Sequence, residues 1–145
     1  MIVKTRREAL SKPLVLDSYA LIVYLENGPS SDQFERILLS AAETRTELCL
    51  SLISCGELLY IVERERGLQG LAQVEAMLED LGVRLVQVDR ATVAMAAHLK
   101  AWHRISYADA FAAALAQQLA APVVTGDPEF RDIEGEVAVE WLDQP

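Results

Sequence analysis

ISYADAFAAALAQQLAAPVVTGDPEF, residues 105–130, is the stretch from which the fold can be read. Its first part, YADAFAAALAQQLA at 107–120, is rich in alanine, the residue of highest helix propensity, and predicts a helix. Ser106, three residues before Asp109, matches the Ser-x-x-acid box that caps a helix N-terminus. PVVTG at 122–126 is a short apolar run closed by glycine and predicts a buried strand. Asp127-Pro128 matches an N-cap followed by proline at the first helical position, so a short helical turn is expected there. A helix that feeds a short buried strand is the repeating unit of an α/β fold.

The same unit recurs on either side. PLVLD at 13–17 and ELCLS at 47–51 read as two more buried strands, VRLVQV at 83–88 as a third, and VAVEWL at 137–142 closes the set beyond PVVTG. SYALIVYL at 18–25 admits a helix start near Ser18, and ENGPSS at 26–31 is a turn by composition. Residues 32–44 place Phe34, Ile37, Leu38 and Ala41 at helical spacing. A helix over about 52–66 presents Leu58, Leu59, Ile61 and Val62 and stops at Gly67; another over 68–81 ends on Gly82 as a C-terminal cap. A further helix is expected over 90–103. The expected fold is therefore α/β: a five-stranded, mostly parallel sheet flanked by helices, in one domain over 13–145, preceded by a tail over 1–12.

Composition bounds the function classes. A chain of 145 residues, 52% hydrophobic and 24% charged, suits one globular domain with a real core. No apolar run approaches the ~18 residues of a membrane span, and the N-terminus does not read as a signal peptide; the expected location is the cytoplasm. Cys49 and Cys55 are too few for a disulfide framework and read as reduced core residues. The net charge of −9 runs against the basic footprint usual in nucleic-acid binders. Local basic patches can still guide such a substrate. Arg64, Arg66, Lys100 and Arg104 could form one, as could Lys4, Arg6, Arg7 and Lys12 of the tail, although each also suits an ordinary solvated surface.

Four acids stand where chemistry is expected. In an open parallel sheet, ligands bind outside the carboxyl ends of the strands, at the point where strand order reverses. Asp17 ends the first strand and Asp127 follows the fourth; Glu57 and Asp109 lie early in helices. Singly, each suits a helix cap: Ser54-x-x-Glu57 and Ser106-x-x-Asp109 as boxes, Asp127 before Pro128, and Asp17 before the following helix. Together, four converging carboxylates would repel one another unless a counter-charge joined them. Magnesium or manganese supplies that charge, takes oxygen ligands, and can serve phosphodiester hydrolysis without a histidine base. His98 shares a helical face with Ala94 and Trp102 and is expected to pack; neither it nor His103 has a Ser or Cys partner.

At these residues the sequence resembles the PIN-domain family, in particular the VapC-type toxin ribonucleases. The matching stretches are VLDSYALIVYL at 15–25, LSLISCGELLY at 50–60, 105–130 as quoted, and the terminal strand, over about residues 13–142. The long stretch is the most specific, because it joins the acid, the alanine-rich helix and TGD-x-x-F. The resemblance implies a metal site of Asp17, Glu57, Asp109 and Asp127, with Thr125 as the hydroxyl that orients water or a carboxylate. Asp17 and Asp109 are expected as direct ligands, Glu57 and Asp127 partly through water. It further implies Mg2+- or Mn2+-dependent endoribonuclease activity, a homodimer, and silencing by a partner antitoxin whose basic or aromatic side chains enter the acidic site. The lead before Pro13 is longer than the family usually shows. Two other classes compete. A catalytically inactive binding module would share the fold, yet all four acids are present. A receiver-like phosphoacceptor would need paired acids at strand one and a lysine after strand four or five, and this chain has neither.

Overall fold

The computed structural model describes residues 12–142. The expected tail lies, except for Lys12, outside the described residues. Five strands form one sheet: β1 (Leu14–Leu16), β2 (Leu48–Ser51), β3 (Arg84–Val86), β4 (Val123–Thr125) and β5 (Val139–Trp141). Their order is β3-β2-β1-β4-β5 and every pairing is parallel. Strand order reverses between β1 and β4, so the crevice expected to bind ligands opens at the tips of those two strands.

The helices are α1 (Ser18–Leu25), α2 (Ser31–Thr44), α3 (Leu52–Asp80), α4 (Arg90–Trp102) and α5 (Tyr107–Leu119), with a 3-10 turn at Pro128–Ile133. They cover both faces of the sheet, and the alternation of strand side chains assigns each face its core. Val15, Cys49 and Val123 point toward α4, α5 and the 3-10 turn, where they meet Ala96, Leu99, Phe130 and Ile133. Leu16, Leu50 and Val124 point the other way, toward Leu21, Phe34, Leu58 and Val74 of α1, α2 and α3. The two cysteines are buried, free, and in different cores.

Helix α5 explains its own composition. Every residue from Asp109 to Ala116 is buried, so the helix is enclosed on all sides. It packs against α3, α4, β1, β2 and β4. Alanine combines high helix propensity with the small size that such close approach requires. The element thereby fixes Asp109, at its N-terminal turn, relative to the sheet.

The two helices expected over 52–66 and 68–81 are the two halves of α3, and the break between them falls at the expected residue. Gly67 has φ 67° and ψ −161°, a conformation that is essentially glycine-only, so the chain bends there without a loop. His98 does not pack. The buried side of α4 carries Thr92, Ala96 and Leu99, which leaves His98 on the solvent side beside Trp102, itself 77% exposed. Among the described residues, no helix is long and apolar enough to cross a membrane.

Candidate metal centre

The site is built from caps. Asp17 directly follows β1 and caps α1, its Oδ1 accepting the Ala20 N–H at 2.9 Å. Its Oδ2 accepts the hydroxyl of Thr125, the last residue of β4. The same Thr125 oxygen accepts the Asp127 N–H at 2.9 Å. One buried hydroxyl thus ties the tips of β1 and β4 together and sets the backbone of Asp127. Asp127 caps the 3-10 turn through the Glu129 N–H, at 2.9 Å.

Ser106 caps α5 as expected, accepting the Asp109 N–H at 3.1 Å. The reciprocal half of the box is different. The Ser106 N–H donates to Glu129 Oε1 at 2.8 Å and not to Asp109. Asp109 is therefore free of capping duty, and its Oδ2 is buried without a hydrogen-bond partner. The box expected at Ser54 and Glu57 does not form. Helix α3 starts earlier, capped by Ser51, whose hydroxyl accepts the Ile53 N–H at 3.2 Å; Ser54 is buried within the helix. Glu57 instead accepts a hydrogen bond from the Ser18 hydroxyl.

These elements enclose a cleft of about 290 Å³ lined by Glu57, Asp109, Asp127 and Glu129 with Ser18 and Ser106. A larger groove of about 630 Å³ opens at the opposite ends of the strands, near Leu14 and Pro122, but brings only one acid, Glu140, to its wall. The smaller cleft, at the reversal of strand order, is where charge converges. Ligand oxygens of Asp109, Asp127 and Glu129 lie within 4.8 Å of one another. Asp17, only 1% exposed, lies outside that tight group, as does Glu57.

Burial dominates the electrostatics. It pushes the Asp17 carboxyl from 3.8 up to about 7, against the hydrogen bonds of Thr125 and Ala20, and Asp127 and Glu57 add to the rise. Asp109 is driven well above the usual carboxylate range by burial first, then by Glu129, Asp127 and Asp17. An acid held this way needs either a proton or a cation beside it. The orphaned Asp109 oxygen and the surrounding oxygen donors fit a hard divalent cation.

The other residues singled out by sequence stand apart from the cleft. His103 follows α4, 3.8 Å from both Asp132 and Glu136, and does not line the cleft. Arg64 lies over the Tyr60 ring, Arg66 donates to Gln73 and Lys100 to the Ile105 carbonyl, while Arg104 is exposed. Glu129 was not anticipated. It sits two residues beyond Asp127, and nothing in the sequence shows that the 3-10 turn folds back onto Ser106.

An all-parallel 3-2-1-4-5 sheet with acids at its reversal point defines a class, and the family model described as PIN domain matches residues 14–136. The chain belongs to the PIN domain family. Among curated proteins none matches significantly. Solved structures share the fold. The VapBC2 complex of Rickettsia felis, solved with a promoter DNA fragment, aligns at TM-score 0.75 and 18% identity, over 90% of this chain and 98% of that one. The DNA-bound VapBC of Salmonella typhimurium aligns at TM-score 0.73 and 23% identity, over 92% and 100%. VapC20 of Mycobacterium tuberculosis, described as a sarcin–ricin loop cleaving toxin, aligns at TM-score 0.67 and 15% identity, over 81% and 92%.

Proposed function

We propose that the chain is a divalent-metal-dependent endoribonuclease and the toxin of a toxin–antitoxin pair. The observation that carries this reading is the buried, unpartnered Asp109 Oδ2 in a cleft of acids at the reversal of strand order. Asp17, Glu57, Asp109 and Asp127 would hold Mg2+ or Mn2+. Such an ion, when bound, activates water and stabilises the leaving oxygen of a phosphodiester.

The remaining work belongs to the protein. Thr125 keeps Asp17 in one orientation and spends its own lone pair on the Asp127 N–H. Asp17 Oδ1 and Oδ2 each hold one hydrogen bond, and a carboxylate oxygen has a second lone pair, so the residue retains ligand capacity. The Ser18 hydroxyl orients Glu57 across the cleft. The short distances between acids mean that an RNA phosphate, itself negative, is accepted only once cations have filled the site.

The partner assignments rest on the structural neighbours. Several are VapB–VapC complexes, which supports a protein antitoxin for this chain; a cytoplasmic location is proposed from the sequence alone. A homodimer is proposed from the family resemblance. The receiver-like alternative is disfavoured by the strand order, since the flavodoxin-like order is 2-1-3-4-5. The test is incubation of purified chain, freed of any partner, with a panel of structured and unstructured RNAs. Cleavage with Mg2+ or Mn2+ that stops with chelator is expected. No cleavage of any RNA with either metal would favour a binding module on the same fold.

A further inference from the structure

We infer that Glu129 is a fifth acid of the metal centre, a direct ligand that stands closer to Asp109 and Asp127 than Glu57 does. The inference rests on the metal reading of this cleft. Three observations support it. The first is distance: Asp109, Asp127 and Glu129 each place an oxygen within 4.8 Å of the others, the one such grouping among the described residues. Oxygens around a single octahedral cation at ~2.1 Å are about 3 Å apart when adjacent and about 4.2 Å when opposite. Oxygens that all lie within 4.8 Å of one another are close enough for side-chain rotation to bring them into one such shell.

The second observation is independent of the acids' number. Asp109 is 4% exposed and its Oδ2 has no hydrogen-bond partner, although it lines the cleft. A buried acceptor left unpaired costs about 1–3 kcal/mol, and a cation in the cleft is the partner that removes this cost at Asp109 and offsets the repulsion among the three carboxylates. The third is the exchange at the α5 cap. Glu129 Oε1 takes the Ser106 N–H that Asp109 would take in a complete capping box. This exchange frees Asp109 for the cleft. One hydrogen bond to Oε1 leaves most of the ligand capacity of Glu129, because a carboxylate offers about four lone-pair sites. Glu129 is exposed at the mouth while Asp109 is buried below it, so the group spans the depth of the cleft. Glu57, held by Ser18 and outside the tight group, is placed to act through water.

Paired variants separate ligation from capping. Glu129→Gln keeps an oxygen for the Ser106 N–H and removes the charge; Glu129→Ala removes both. Mn2+ binding is measured by calorimetry and by the electron paramagnetic resonance of bound Mn2+, and thermal stability is measured without metal. The expected result is Mn2+ binding at least about tenfold weaker in Glu129→Gln than in the wild type. Metal-free stability is expected to be unchanged, and the loss of affinity smaller in Glu57→Gln. Wild-type affinity in Glu129→Gln, with a clear loss in Glu57→Gln, would overturn the assignment and leave the metal centre standing. A wild-type chain that binds no Mn2+ would overturn both.

Discussion

Thr125 shows how much one residue carries. Its buried hydroxyl donates to the buried Asp17 and accepts from the half-buried Asp127 backbone. Thr125→Ala would leave a carboxylate and an N–H short of partners, at a cost of about 1–3 kcal/mol. Thr125→Ser keeps the hydroxyl and should recover most of that loss; chemical denaturation of the three proteins measures it. Asp17 and Asp109 behave in the opposite sense. Without metal they are buried among like charges, so Asp17→Asn or Asp109→Asn should leave stability level or raise it. A drop of several kcal/mol in both would mean that capping is their main role.

The same acids set a pH dependence. The folded-state value of Asp17 is raised, from 3.8 to about 7, and Asp109 is raised as well. A raised folded value means that the native state binds more protons than the unfolded chain between the two values. The stabilisation is then fully present below the unfolded value and is lost as pH rises through about 7 and beyond. Metal-free protein should have a lower melting temperature at about pH 8 than at about pH 5, and saturating Mg2+ should flatten that slope. An equal slope with and without Mg2+ would separate the titration from the metal centre.

At the scale of elements, helix ends divide into those that sequence announces and those that it hides. Gly82, at φ 65°, ends α3 with its N–H on Glu79 and the Val83 N–H on Leu78, the Schellman pattern expected of a glycine there. The same pattern ends α2 at Arg45 and α5 at Ala120, with φ 56° and 50°. Neither residue advertises a left-handed conformation, so those ends could be placed only by where the apolar pattern ran out. Ala120→Gly should therefore stabilise the chain, by roughly 0.5–1 kcal/mol, because it relieves the left-handed Cβ clash; thermal melting would register it. The strands and the buried α5 were legible because apolar runs and alanine content act locally. Two features were not. The helical period puts His98 on one face with Ala94 and Trp102 but does not say which side of α4 meets the sheet. The Ser54-x-x-Glu57 motif matches a capping box but does not say which serine starts the helix, and Ser51 does.

For the whole molecule, topology gathers the site. Asp17 and Asp127 are 110 residues apart in sequence, yet the 3-2-1-4-5 order makes β1 and β4 neighbours and puts both acids over one crevice. That Glu57, Asp109 and Asp127 line one cleft follows from strand ends and helix starts, while Asp17 is buried at the tip of β1 and does not line it. The partner of Ser106 does not follow from them, since Glu129 reaches it only through the tertiary return of the 3-10 turn. The acidic cleft also sits easily with the net charge of −9, part of which a cation-filled site would offset. Sequencing of RNA ends after expression of the wild type and of Asp109→Asn tests the proposed activity most directly. New ends at a small set of sites should arise with the wild type and be absent with Asp109→Asn at equal protein level. Indistinguishable end profiles for the two would contradict a ribonuclease centred on these acids.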